Sequence, residues 1–60
     1  MTLGERLKMY RRQKGLSQEK IAEMLCVSRQ AVTTWELGQT TPSSDNLIAL
    51  ANLYDKRLFP

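Results

Sequence analysis

The chain has 60 residues, 42% of them hydrophobic, with nine lysines and arginines against six acidic residues and a net charge of +3. That length makes one small domain, whose core rarely supplies more than about 3–5 kcal/mol without staples. A single cysteine and no histidine leave no internal disulfide and no basis for a zinc site, and no stretch approaches the roughly 18 apolar residues of a membrane span. The N-terminus also lacks the apolar core of a signal peptide. The expectation is therefore a soluble, cytoplasmic domain held by helix packing.

Taken in chain order, Thr2 followed three residues later by Glu5 is a capping box. Leu3, Leu7 and Tyr10 then recur at helical spacing until Gly15 breaks the run, which predicts a first helix over residues 3–14. This end carries Arg6, Lys8, Arg11, Arg12 and Lys14 against Glu5, a balance of +4 that leaves −1 for the rest of the chain. Such a basic segment suits a DNA backbone, where neutralised phosphates release counterions, and equally suits a solvated helix face.

A second helix starts after Ser17, whose hydroxyl can accept a first-turn N–H, with Glu19 where the helix dipole favours an anion. Its apolar residues Ile21, Ala22, Met24 and Leu25 share one side. Three residues on, Ser28 is another N-cap, opening a helix from Arg29 to Leu37 that Gly38 ends in the left-handed region. Two capped helices joined by a tight turn, about residues 17–37, make a helix-turn-helix.

At about 100° per residue, the third helix turns Ala31, Val32 and Trp35 with Ser28 to one face and Gln30, Thr33, Thr34 and Leu37 to the other. Arg29 lies on the flank. An apolar stripe backed by an outward row of Arg, Gln and Thr fits a helix seated in the major groove, where every base pair shows a distinct donor and acceptor pattern. A solvated polar face has the same composition. Gln39-Thr40-Thr41-Pro42-Ser43 is a loop, and Ser43 or Ser44 caps a helix with Leu47, Leu50, Ala51 and Tyr54 at i, i+3, i+4 and i+7. No strand pattern or repeat appears. The fold expected is an all-α compact bundle of four to five short helices, the first and fourth packing around the central pair, and residues 1–60 form a single helix-turn-helix domain.

Gln18-Glu19-Lys20-Ile21-Ala22, Val27-Ser28-Arg29-Gln30-Ala31-Val32, Trp35-Glu36-Leu37-Gly38 and Pro42-Ser43 with Leu47, Leu50 and Ala51 together resemble the lambda-repressor-like family, the DNA-binding domain of phage repressors and Xre-type bacterial regulators. Each piece is weak alone; the ordered set, over roughly residues 3–55, is specific. The resemblance implies a bacterial or phage-encoded regulator. Arg29 and Gln30 match its main base-reading positions, and their chemistry suits guanine O6 and N7 and adenine N7 and N6 respectively. Thr33 and Thr34 match further groove-facing positions.

Gln18 matches a phosphate contact, and Ser28, Gln39 and Thr40 are expected to add phosphate hydrogen bonds. Arg11 matches an internal arginine that reaches the glutamate here numbered Glu36, tying the first helix to the reading helix. Trp35 belongs to the core. Three departures stand out. Leu37 replaces a residue that is more often polar, Cys26 stands at a turn position that is usually glycine, and Asp55 to Pro60 replaces an apolar-led fifth helix.

Catalysis finds no support, since there is no histidine, no Gly-rich phosphate loop and only scattered acidic residues. No cofactor and no metal is implied. The function expected is that of a sequence-specific repressor of transcription, binding palindromic double-stranded DNA as a homodimer. The alternative is an antitoxin, with a toxin as partner, or another protein-binding module of the same fold. Gln18, Arg29 and Gln30 speak against a pure scaffold.

Overall fold

Every helix among the described residues is entered through a hydroxyl. In the computed structural model, which describes residues 1–58, α1 (Leu3–Gln13), α2 (Gln18–Leu25), α3 (Arg29–Leu37) and α4 (Ser44–Tyr54) follow one another with no strand among the described residues. Thr2, Ser17, Ser28 and Ser43 cap them, each oxygen accepting an N–H three residues on: Glu5 at 3.2 Å, Lys20 at 2.9 Å, Ala31 at 3.1 Å and Asn46 at 3.2 Å. These bonds satisfy donors that a helix start otherwise leaves open. At Thr2 the capping box is complete, because Glu5 Oε1 accepts the Thr2 N–H at 2.9 Å, and that bond holds the Glu5 carboxyl below its ordinary pKa.

The other ends use left-handed residues. Cys26 (φ 58°), Gly38 (φ 79°) and Asp55 (φ 54°) terminate α2, α3 and α4. The glycine missing from the turn is thus replaced by a cysteine that still takes the left-handed conformation.

Helix α3 is the central element and packs on both α1 and α2. Its Val32 and Trp35 join Leu7 of α1, Ile21 and Ala22 of α2, and Leu50 and Tyr54 of α4 in one buried cluster that Leu58 completes. The approach of α1 to α3 is close enough to require glycine. A Cβ placed on Gly4 would lie 2.6 Å from the carbonyl oxygens of both Trp35 and Glu36. The rings of Tyr10 and Tyr54 meet with centroids 6.1 Å apart, and the Lys56 ammonium stands 5.8 Å from the Tyr10 centroid, joining α4 to α1.

One expectation, for Met24, is corrected, and two are made more exact. Helix α1 stops at Gln13, with Lys14 as its C-cap. Met24, placed with the apolar side of α2, is 47% exposed while Ile21 and Ala22 are buried, because α3 covers only the stripe those two residues centre. The chain forms four helices among its described residues. After α4, Asp55 turns the chain into a stretch without regular structure, and Leu58 is buried in the core. Phe59 and Pro60 lie outside the described residues.

Candidate nucleic-acid interface

The start of α3 sets out the first group. Ser28, Arg29 and Gln30 are all exposed. The Ser28 oxygen is occupied by the Ala31 N–H, which leaves its hydroxyl proton to donate outward. Neither Arg29 nor Gln30 uses its side chain in a hydrogen bond or ion pair among the described residues; only the Arg29 carbonyl is engaged, by Thr33. Arg29 lines an open cleft with Arg11, Ser17, Gln18 and Glu19, so the start of α3 lies beside the start of α2.

Behind that cleft the three helices are cross-braced. Arg11 of α1 donates from Nε to Glu36 Oε2 at 2.7 Å and from Nη2 to Glu36 Oε1 at 3.1 Å, and its Nη1 reaches the Leu16 carbonyl at 2.8 Å. The two side chains are only 11% and 3% exposed. A fork-to-carboxylate pair with each charged nitrogen and oxygen engaged is the arrangement that makes a buried ion pair tolerable. The bonds to Glu36 push the Arg11 guanidinium above its ordinary pKa, against the opposing effect of burial.

Gln18 extends the brace to α2. Its Nε2 donates to Glu36 Oε1 at 2.9 Å, and its Oε1 accepts from the Thr33 hydroxyl at 2.9 Å. The amide expected to face a phosphate therefore has half of its capacity engaged within the domain. One N–H and one lone pair are left over.

The two threonines sit differently from what the helical wheel implies. Both are half-buried, and both hydroxyls point their bonds inward. Thr33 Oγ1 also lies 3.1 Å from the Arg29 carbonyl, and Thr34 Oγ1 lies 2.9 Å from the Ala31 carbonyl and 2.8 Å from Thr40 Oγ1. With the Ala31 carbonyl taking the single Thr34 proton, Thr40 is the donor in the threonine pair. The N–H groups of Gln39 and Thr40 both go to the Thr34 carbonyl, at 3.0 and 3.4 Å. The loop is thus folded onto the end of α3, and of its two expected phosphate donors Thr40 is engaged while the Gln39 side-chain amide has no hydrogen bond among the described residues.

The arrangement brings Gln18, Arg29 and Thr33 together with Arg11 and Glu36, and separately pairs Thr34 with Thr40. Gln30 and Gln39 stand exposed outside both groups. Sequence reasoning missed the bond from Thr33 to Gln18 and the Gly4 contact. Neither had a local signal, since the helical wheel turns Thr33 away from the core and a glycine inside a helix does not say which element approaches it. Leu37 is 66% exposed, as the wheel places it. Among the described residues, no group of three histidine, cysteine or acidic side chains forms a metal cluster, and no helix is long and apolar enough to cross a membrane.

Residues 7–59 of the chain match the helix-turn-helix family. The chain is 36% identical over 55 residues to the HTH-type transcriptional regulator ImmR of Bacillus subtilis (strain 168), covering 92% of this chain and 43% of that protein. To Repressor protein C2 of Salmonella phage P22 it is 35% identical over 49 residues, 82% of this chain and 23% of the repressor. To the HTH-type transcriptional activator BcrR of Enterococcus faecalis it is 37% identical over 54 residues, 90% of this chain and 26% of the activator. The chain thus spans less than half the length of each of these relatives.

Proposed function

This chain belongs to the Xre/Cro/C1-type helix-turn-helix family of DNA-binding transcription regulators, and from that premise we propose that it represses transcription by binding a palindromic operator as a homodimer. The observation that carries the reading is the start of α3, where Arg29 and Gln30 are exposed on a helix whose far end is held by the Arg11–Glu36 pair. Each copy sets α3 into a major groove. Arg29 pairs with guanine O6 and N7, and Gln30 with adenine N7 and N6. Two half-sites then lie on one face of the duplex about one helical turn, roughly 34–36 Å, apart.

Around this reading head, Gln18 and Ser28 supply phosphate contacts from the starts of α2 and α3, where backbone N–H groups favour an anion, and Gln39 with the Thr40–Thr41 loop adds a third. Because the Thr33 and Thr34 hydroxyls are bonded inward, their share of base recognition falls to their methyl groups, which can pack on a thymine methyl. Occupying a promoter in this way excludes polymerase.

Selection of sites from random duplex DNA, at a stated salt concentration because affinity depends steeply on it, tests the reading. Enrichment of a palindrome supports it. Binding without enrichment, or no binding, overturns it in favour of a protein-binding module such as an antitoxin. On the selected site, Arg29→Ala is expected to weaken binding by about 1–3 kcal/mol and relax preference at one base pair. Equal losses on specific and random DNA would remove Arg29 from the base readers.

A further inference from the structure

We propose that Thr33 is a positioning residue, whose hydroxyl fixes the Gln18 carboxamide so that its remaining N–H is presented to a DNA phosphate. The inference rests on the DNA-binding reading above and deepens it.

The argument is one of donor and acceptor supply. A carboxylate has only acceptors, so the Gln18 group facing Glu36 Oε1 at 2.9 Å must be the NH2. That choice turns the amide oxygen towards α3. There the Thr33 hydroxyl, 2.9 Å away, is the matching donor. Arg11 donates to the same Glu36 oxygen at 3.1 Å, and the opposite flip of the amide would set two acceptor oxygens against each other there. The carboxamide is clamped at both ends, by α3 residues three positions apart, and one N–H is left for an external acceptor.

Thr33 itself has a single proton and two inward acceptors, Gln18 Oε1 and the Arg29 carbonyl at 3.1 Å. Nothing remains to donate to a base. The hydroxyl's contribution to DNA binding therefore passes through Gln18, on the backbone, and, unlike a methyl contact, carries no sequence information.

A double-mutant cycle on the intact chain tests this, using Thr33→Val, which keeps the shape and removes the hydroxyl, with Gln18→Ala, the two combined, and Thr33→Ser. Affinities are measured on the selected operator and on a random duplex at one salt concentration. Thr33→Val is expected to weaken both duplexes by the same factor, about three- to tenfold, and Thr33→Ser to restore most of it. In the Gln18→Ala background Thr33→Val should add nothing, the mark of two residues acting as one unit. Losses that multiply in the double variant, or a changed preference at one base pair, would overturn the proposal and make Thr33 an independent contact. Should Thr33→Val melt below the assay temperature, the Gln18 side-chain NH2 resonances of the wild type and of Thr33→Ser decide: a pair of signals dispersed away from the usual positions of an exposed glutamine amide is expected in both, and signals at those usual positions overturn the clamp. Absence of duplex binding by the unaltered chain, with those signals dispersed, instead sinks the DNA-binding reading beneath it.

Discussion

Cys26 holds φ 58° and ψ 42° at the end of α2, a conformation that costs a residue with a Cβ on the order of 1 kcal/mol relative to glycine. Cys26→Gly is accordingly expected to stabilise the domain by about that amount, raising the midpoint of thermal unfolding by roughly 4–8 °C for a chain of this size. An unchanged or lowered midpoint would show that the side chain compensates for its backbone. This residue was legible through the family resemblance, which places a glycine at that turn position. Asp55, equally left-handed at φ 54°, was not: it follows the last apolar residue of α4 with no second cap behind it to mark a turn. The threonines show the same limit in another form. A helical wheel tells which side Thr33 and Thr34 occupy, but it contains no information on which acceptors another helix or the helix's own carbonyls bring within reach of a hydroxyl.

At the scale of the elements, the four starts were readable because a hydroxyl before an apolar period is a local signal, and each one caps the helix it precedes. The closeness of α1 to α3 was not readable, since it depends on how two helices cross. Gly4 shows how far that matters. By intrinsic propensity, alanine inside a helix is better than glycine by about 0.8–1.0 kcal/mol, so Gly4→Ala in an isolated α1 would be favourable. Here the added carbon meets two backbone oxygens at 2.6 Å, which cannot swing away as a side chain can. Overpacking of this kind costs about 1–3 kcal/mol, so the net expectation is destabilisation, read as a lowered midpoint in denaturant with an unchanged slope. A neutral or stabilising result would mean that α1 slides on α3 without loss.

Over the whole molecule, the core closes through residues far apart in the chain, and its ionisation sets an alkaline limit. Burial pushes the Tyr54 phenol up to about 12, with the Glu36 charge adding to the effect. Below pH 10 the phenol is neutral in both folded and unfolded chains. Between about pH 10 and 12 the unfolded chain releases its proton first, so stability is lost as pH rises through that window, by up to about 2–3 kcal/mol. Tyr54→Phe should unfold less steeply over the same range than the wild type, a comparison in which the lysines common to both cancel. Identical pH dependence would show that the ring hydroxyl is solvated. The fold class followed from periods and caps, whereas Leu58, 5% exposed, was hidden after Lys56 and Arg57, where one leucine establishes no period. A last consequence follows from the start of α3. Arg29 and Gln30 are exposed and lend no side-chain hydrogen bond to the interior among the described residues, while Gln18, Thr33 and Glu36 are joined to one another. On the proposed reading, target choice and structural integrity are housed in different side chains. Substitutions at those two positions are then expected to redirect the domain to a new target and leave folding undisturbed, so that divergence of specificity is open to single steps.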